Sequence, residues 1–342
     1  MVGPESRFPG TSRGAAASLE EMRMRLPVLM GSFAAVAAAA FAVATGSSSG
    51  EVGVVVETVS PGEAAALAGL RIGDVLLRWE SAGSGPPAGG VFTSPFDLRP
   101  VLMAQDAAGP VALEIERDGR TVRITVPTSN WGLQTRPRFS GDDLDRYVDA
   151  EKTAGAGDRA GAAGILLDIA ERAERGNASP EHVAWLLQRA ARHIGEAGRW
   201  EEAAPIVDRA AGLAAEAGRL DLVWALRNAE GDLLLRASRY EEAARAYEEA
   251  IAAQERLDPE SLALVSSLTG LGRVAQSRED LDAAAEHFTR SLAMNERLAP
   301  GSLSVAAGLQ NLAVNAQARE RYAEAVELYR RALQIRERLA PG

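Results

Sequence analysis

The chain has 342 residues, enough for two or more domains, with 46% hydrophobic and 25% charged residues, so most of it is expected to fold. Its formal net charge of −10 argues against a nucleic-acid surface, which needs a basic stripe. The absence of cysteine excludes disulfides, thiolate catalysis and zinc-thiolate sites within this chain.

Residues 1–25 are polar, with Arg7, Arg13, Arg23 and Arg25. The stretch 26–45 opens on an uncharged, Ala-rich run of Leu, Val, Phe and Met, near the length of a membrane span. Arg23 and Arg25 favour a cytoplasmic N-terminal flank, and Ala42-Val43-Ala44 fits a small-x-small cleavage site. A cleaved signal peptide, an uncleaved anchor and a buried or disordered Ala-rich segment compete here. Either of the first two exports residues 46–342 and would give an exported or membrane-tethered protein.

A Gly/Ser linker, 45–50, leads into a β-branched strand at Gly53–Val59. A Pro61-Gly62 turn, a short helix from Ala64 to Leu70 and a second strand from Val75 to Trp79 follow. Residues 81–90 read as a Gly/Pro loop. Ser94-Pro95 opens a helix in N-cap style that continues past Leu102, with a distortion at Pro100. Strands 111–117 and 121–126 pair about Asp118-Gly119, a strong hairpin signal. Residues 129–141 read as a linker, and 142–342 as a helical array whose first repeat is degenerate.

The array shows its period in the sequence. Pro259, Pro300 and Pro341 stand at intervals of 41, and Tyr240-Glu241-Glu242-Ala243, Leu281-Asp282-Ala283-Ala284 and Tyr322-Ala323-Glu324-Ala325 keep the same step. Such self-similarity means a solenoid, because one helical pair cannot bury its apolar face alone. Small residues recur at Ala191/Ala203, Gly231/Ala243, Gly272/Ala284 and Ala313/Ala325, letting paired helices approach closely. Val207, Tyr247, Phe288 and Tyr329 follow one turn after each second member and are expected to plug the gap to the next repeat.

These positions resemble the tetratricopeptide repeat, and the long period, with Gln310-Asn311-Leu312-Ala313 and Ile335-Arg336-Glu337-Arg338-Leu339, resembles its kinesin-light-chain type. The resemblance implies a concave face made of the first helices, on which Arg273, Gln310, Asn311 and Asn315 stand out; asparagines there tend to grip an extended peptide. The phrase Val59–Leu76, with Ala68-Gly69-Leu70 and Gly73-Asp74-Val75, resembles a PDZ domain of the bacterial protease-associated type over 52–128. It implies a peptide groove between the strand at Gly53 and the helix at Phe96–Gln105. Gly53 and Val54 would serve the carboxylate loop, and Val56 and Leu102 the side-chain pocket. The usual aromatic-Leu-Gly phrase before that strand is missing, and Glu51 would repel a carboxylate.

His182, His193 and His287 lie in predicted helices without a metal-ligand spacing, and the Gly-rich stretches lack a P-loop Lys-Ser/Thr pair. The reading is therefore a multidomain chain: a small α+β domain followed by an all-α repeat solenoid, preceded by a hydrophobic helix. It is expected to be a non-enzymatic scaffold for proteins or peptides, with no cofactor, no metal and no nucleic acid. The closing phrase Arg338-Leu339-Ala340-Pro341-Gly342 repeats Arg297-Leu298-Ala299-Pro300-Gly301, which precedes a full repeat. The combination resembles tetratricopeptide proteins that end in a caspase-like CHAT peptidase domain, whose catalytic His and Cys would lie beyond Gly342.

Overall fold

A computed structural model describes residues 53–82, 88–98, 101–102, 109–127 and 130–339. Two compact units divide between Arg138 and Phe139.

The first unit is a sheet of six strands: β1 (Val54–Val59), β2 (Val75–Ser81), β3 (Gly89–Val91), β4 (Val111–Arg117), β5 (Arg120–Val126) and β6 (Leu133–Pro137). Their order is β5-β4-β2-β1-β6, with β3 paired to β2, and every pairing is antiparallel. Helix α1 (Ala64–Leu67) follows β1, and a 3-10 turn at Pro95–Asp97 carries the expected Ser94 cap as a capping box with Asp97. Val54, Val56, Leu76, Leu113, Ile115, Phe92 and Trp131 fill the core. The Asp118-Gly119 hairpin forms with both residues at positive φ (52° and 71°), as a type I′ turn needs.

The phrase around Gly73-Asp74 has a physical reason. The Asp74 carboxylate is buried, accepts from the Arg71 amide at 2.8 Å, and takes both Nε (2.7 Å) and a terminal nitrogen (2.6 Å) of Arg117. That nitrogen of Arg117 also donates to the Gly69 carbonyl at 2.8 Å, so one ion pair ties the α1–β2 turn to β4. Two strands stand where a loop and a linker were expected: β3, which overlaps the end of 81–90, and β6 within 129–141.

The second unit is a stack of five helical pairs: α2 (Asp142–Gly155) with α3 (Arg159–Arg175), α4 (Pro180–Glu196) with α5 (Trp200–Glu216), α6 (Leu220–Arg236) with α7 (Tyr240–Leu257), α8 (Ala263–Ser277) with α9 (Leu281–Leu298), and α10 (Leu303–Ala318) with α11 (Tyr322–Leu339). Each pair turns through one residue in the left-handed region: Gly157, Gly198, Ser238, Glu279 and Glu320, with φ between 60° and 95°. Pairs are then locked by close approach. A Cβ on Gly231 would stand 2.8 Å from the Tyr247 ring, one on Gly270 of the next pair 2.4 Å, and one on Gly272 2.4 Å from Phe288. Tyr247 is thus clamped between two glycines of successive first helices, and its hydroxyl donates to Asp232 at 2.8 Å. Val207, Tyr247 and Phe288 are buried, whereas Tyr329 on the last helix is exposed beside Val326 and Leu333. Outer ion pairs such as Arg297–Glu260 (2.6 Å) and Arg331–Glu296 (3.0 Å) step from one pair to the next; being exposed, each contributes little.

The hydrophobic stretch 26–45 lies outside the described residues. Among the described residues no helix is long and apolar enough to cross a membrane; the array helices have 14 to 18 residues. For the described residues, the expectation of a transmembrane or membrane-anchoring helix is corrected on that finding.

Candidate functional site

Two cavities lie along the first helices α4, α6 and α8, the larger also lined by Trp200 and Val207 of α5. Between α4 and α6 lies a cavity of about 560 Å³, lined by Trp185, Gln188, Arg192, Trp200, Leu233 and Arg236 among others. A second of about 450 Å³ adjoins it along α6 and α8, lined by Leu235, Arg236, Arg273, Gln276 and Ser277. Arg236 borders both. Its guanidinium carbon stands 5.4 Å over the Trp200 ring, whose indole N–H donates to the Gly195 carbonyl at 2.7 Å. Trp185 is buried in an aromatic cluster with Phe139 and Tyr147, capped by Arg189 at 5.0 Å.

Of the residues singled out on this face, Arg273 is exposed and lines the second cavity, while donating to Asp232 at 3.2 Å. Gln310 is exposed and accepts from Arg336. Asn311 is half-buried on α10, at the repeat position held by Gly270 in α8. Asn315 is buried, and its amide donates to the Leu281 carbonyl at 3.1 Å, joining α10 to α9. Arg273 is thus the member that borders a cavity, and Asn315 packs inside. Arg192, Trp200 and Arg236 went unrecognised as a group, because Arg192 and Trp200 lie on α4 and α5 of one pair and Arg236 on α6 of the next.

In the first unit, Val54 and Val56 are core residues, and Leu102 packs half-buried against the core. The Gly53 amide donates to the Phe92 carbonyl at 3.0 Å, and a Cβ there would meet Val75 at 2.6 Å. Strand β1 pairs with β2 on one edge and with β6 on the other, Val54 opposite Pro137 and Val56 opposite Thr135. Both edges of β1 are therefore taken. The sheet ends at β6, which is preceded by Trp131-Gly132, with Gly132 at φ +59°. The residues entering β6, Trp131-Gly132-Leu133, run aromatic-Gly-Leu, a different order from the aromatic-Leu-Gly phrase missing ahead of β1.

Titratable groups inside the array serve packing. Burial pushes His193 and His182 below the ordinary histidine pKa; for His193 nearby Arg192 adds to this, and for His182 Asp143 partly opposes it. Burial and neighbouring Asp232 push the Tyr247 hydroxyl up. Arg227, whose side chain is 17% exposed, reaches Asp208 (2.5 Å), Glu230 (2.6 Å) and Glu249 (2.8 Å), joining α5, α6 and α7. Burial raises the Glu230 carboxyl although Arg227 opposes it. Among the described residues no group of three His, Asp or Glu could hold a metal ion.

The second unit is a helical-pair solenoid of the tetratricopeptide kind. The family description Tetratricopeptide repeat matches residues 221–297 and 263–338. Among solved structures, the chain is similar to BtubC (BKLC) from P. vanneervenii, at 25% identity, covering 57% of this chain and 80% of that one with a TM-score of 0.50. The apo form of RapI is similar at 11% identity, 57% and 54% coverage and a TM-score of 0.51. Kinesin light chain repeats from Podosopora anserina are similar at 19% identity, 58% and 97% coverage and a TM-score of 0.48. No curated protein matches the chain. The fold is that of repeat proteins, and the chain supplies no thiol nucleophile.

Proposed function

We propose that the chain is a protein-interaction scaffold whose array binds a peptide segment along the first-helix face of α4, α6, α8 and α10. One observation carries the reading: two adjoining cavities, about 560 and 450 Å³, share Arg236 and run from α4 to α8 on that face. The clamped Tyr247 holds the first helices α6 and α8 in register, and the buried Asn315 ties α10 to α9, so the face is pre-organised and binding costs little ordering. Arg273, Gln310 and Asn311 supply the polar contacts.

The first unit offers a second binding mode. PDZ-like capture of a peptide by strand addition is assigned here to the outer edge of β6, because both edges of β1 are paired and β6 ends the sheet. In this reading the amides following Trp131-Gly132 receive the peptide carboxylate, Leu102 belongs to the side-chain pocket, and Gly53, Val54 and Val56 support the sheet beneath. Two modules on one chain raise the effective concentration of one partner near another.

Selection of random twelve-residue peptides against the immobilised full chain tests both modes. The reading expects binders that lose affinity on Arg273→Glu or Asn311→Ala, and a separate set that competes with changes at Leu133 and Thr135. Failure to select any binder, or binders indifferent to all four changes, would sink it.

A further inference from the structure

The charge of the larger cavity points to its ligand. In a chain of net charge −10, the α4–α6 cleft presents exposed Arg192 and Arg236 over an apolar floor of Trp185, Trp200 and Leu233. The acidic groups nearby are already engaged. Glu196 lies 3.4 Å from Arg159 and 3.9 Å from Arg192. Asp232 accepts from both the Tyr247 hydroxyl and Arg273. Arg236, by contrast, has no acidic partner among the described residues. Its guanidinium carbon lies 5.4 Å over the Trp200 ring, within cation–π range, and the side chain lines both cavities.

We infer that this cleft takes an acidic peptide segment, a carboxylate seated on Arg236 with Arg192 beside it and the adjacent apolar side chain on Trp200 and Leu233. The inference rests on the scaffold reading above and names the chemistry of its partner. The cation–π contact with Trp200 restricts Arg236 before binding, which lowers the ordering cost of its charge-assisted hydrogen bonds. Glu196 at the α4 end and Asp232 between the cavities repel a second carboxylate placed directly beside them. The cleft therefore accepts charge at spaced positions rather than any polyanion.

The test uses the full chain and a fluorescein-labelled eight-residue peptide of alternating Glu and Leu, read by fluorescence anisotropy, against the same peptide with Gln for Glu. The Glu peptide is expected to bind more tightly by roughly tenfold or more, and less tightly as salt rises. Arg236→Gln is expected to lower its affinity roughly tenfold, the loss of one charge-assisted pair. Arg236→Lys should restore part of that loss, and Arg278→Gln, at an exposed arginine 3.7 Å from Glu241, should leave binding unchanged. Equal binding of the Glu and Gln peptides, or indifference to Arg236→Gln, overturns the inference. If selected peptides bind the array while the Glu peptide does not, this inference falls and the scaffold reading stands; if neither binds, both fall.

Discussion

Replacing Gly270 by alanine is the sharpest perturbation of the repeat lock. The added Cβ would sit 2.4 Å from Cε1 and Cζ of Tyr247, about 1 Å inside ordinary contact. The ring cannot retreat, because Gly231 on its other side leaves only 2.8 Å for a carbon and the hydroxyl is held by Asp232. Overpacking of this kind costs about 1–3 kcal/mol, offset by about 1 kcal/mol of helix propensity gained over glycine. The net loss, about 0–2 kcal/mol, lowers the melting temperature of a 200-residue unit by up to about 8 °C. Gly212→Ala in α5 is the control: nothing lies within 4 Å of its added carbon, so only the propensity gain remains and the unit melts about 2–4 °C higher. In a Tyr247→Leu background the penalty at position 270 should vanish, giving a double-mutant coupling of about 1–3 kcal/mol. Calorimetry of the four chains measures this directly. If Gly270→Ala raises the melting temperature as Gly212→Ala does, the ring is not clamped and the account of inter-repeat packing fails.

Other outcomes follow from the same geometry. Glu279→Gly and Glu320→Gly remove non-glycine residues from φ near +60° and should each stabilise the array by about 0.5–1 kcal/mol in urea denaturation, whereas Gly198→Ala should destabilise it. His193 is buried neutral with its pKa lowered in the folded state, so the unfolded chain takes up the proton first. Its contribution is fully present above the ordinary histidine pKa and is lost as pH falls below it; a His193→Gln chain that melts with an unchanged pH slope between pH 7 and 5 would contradict this. Arg227→Met leaves Glu230, 12% exposed, without its cation and should cost about 3 kcal/mol. Because a raised Glu230 pKa makes stability fall as pH rises, that loss should be smaller at pH 5 than at pH 8, checked by melts at both.

The array was legible because its physics is periodic: Pro259 and Pro300, the paired small residues and the aromatic wedges recur at one step, and the helices follow it. The wedge assignment of Tyr247 and Phe288 rested on spacing alone and matches the clamped rings; Tyr329 has the spacing but no following helix among the described residues to cover it. Strand β6 was illegible because its residues, Leu133-Gln134-Thr135-Arg136-Pro137, lack a hydrophobic alternation; pairing with β1, not intrinsic preference, makes them a strand. The same pairing moves the open sheet edge from Gly53–Val59 to β6. Within the array, side-chain chemistry was harder to read than backbone. Asn315 looks like a surface contact by type, yet its position one residue past the exposed row turns it inward to the Leu281 carbonyl. Arg236 and Trp200 come from different helical pairs, and only the stacking of those pairs brings them together.

The central claim is that the first helices form the binding face. Hydrogen–deuterium exchange of the full chain, with and without a saturating selected peptide, tests it most directly. The account predicts added protection in α4, α6 and α8, around Gln188–Arg192, Asp232–Arg236 and Arg273–Ser277, with α5, α7 and α9 unchanged on their outer faces. Protection confined to the second helices, or none on the array while the peptide is bound to it, would contradict it.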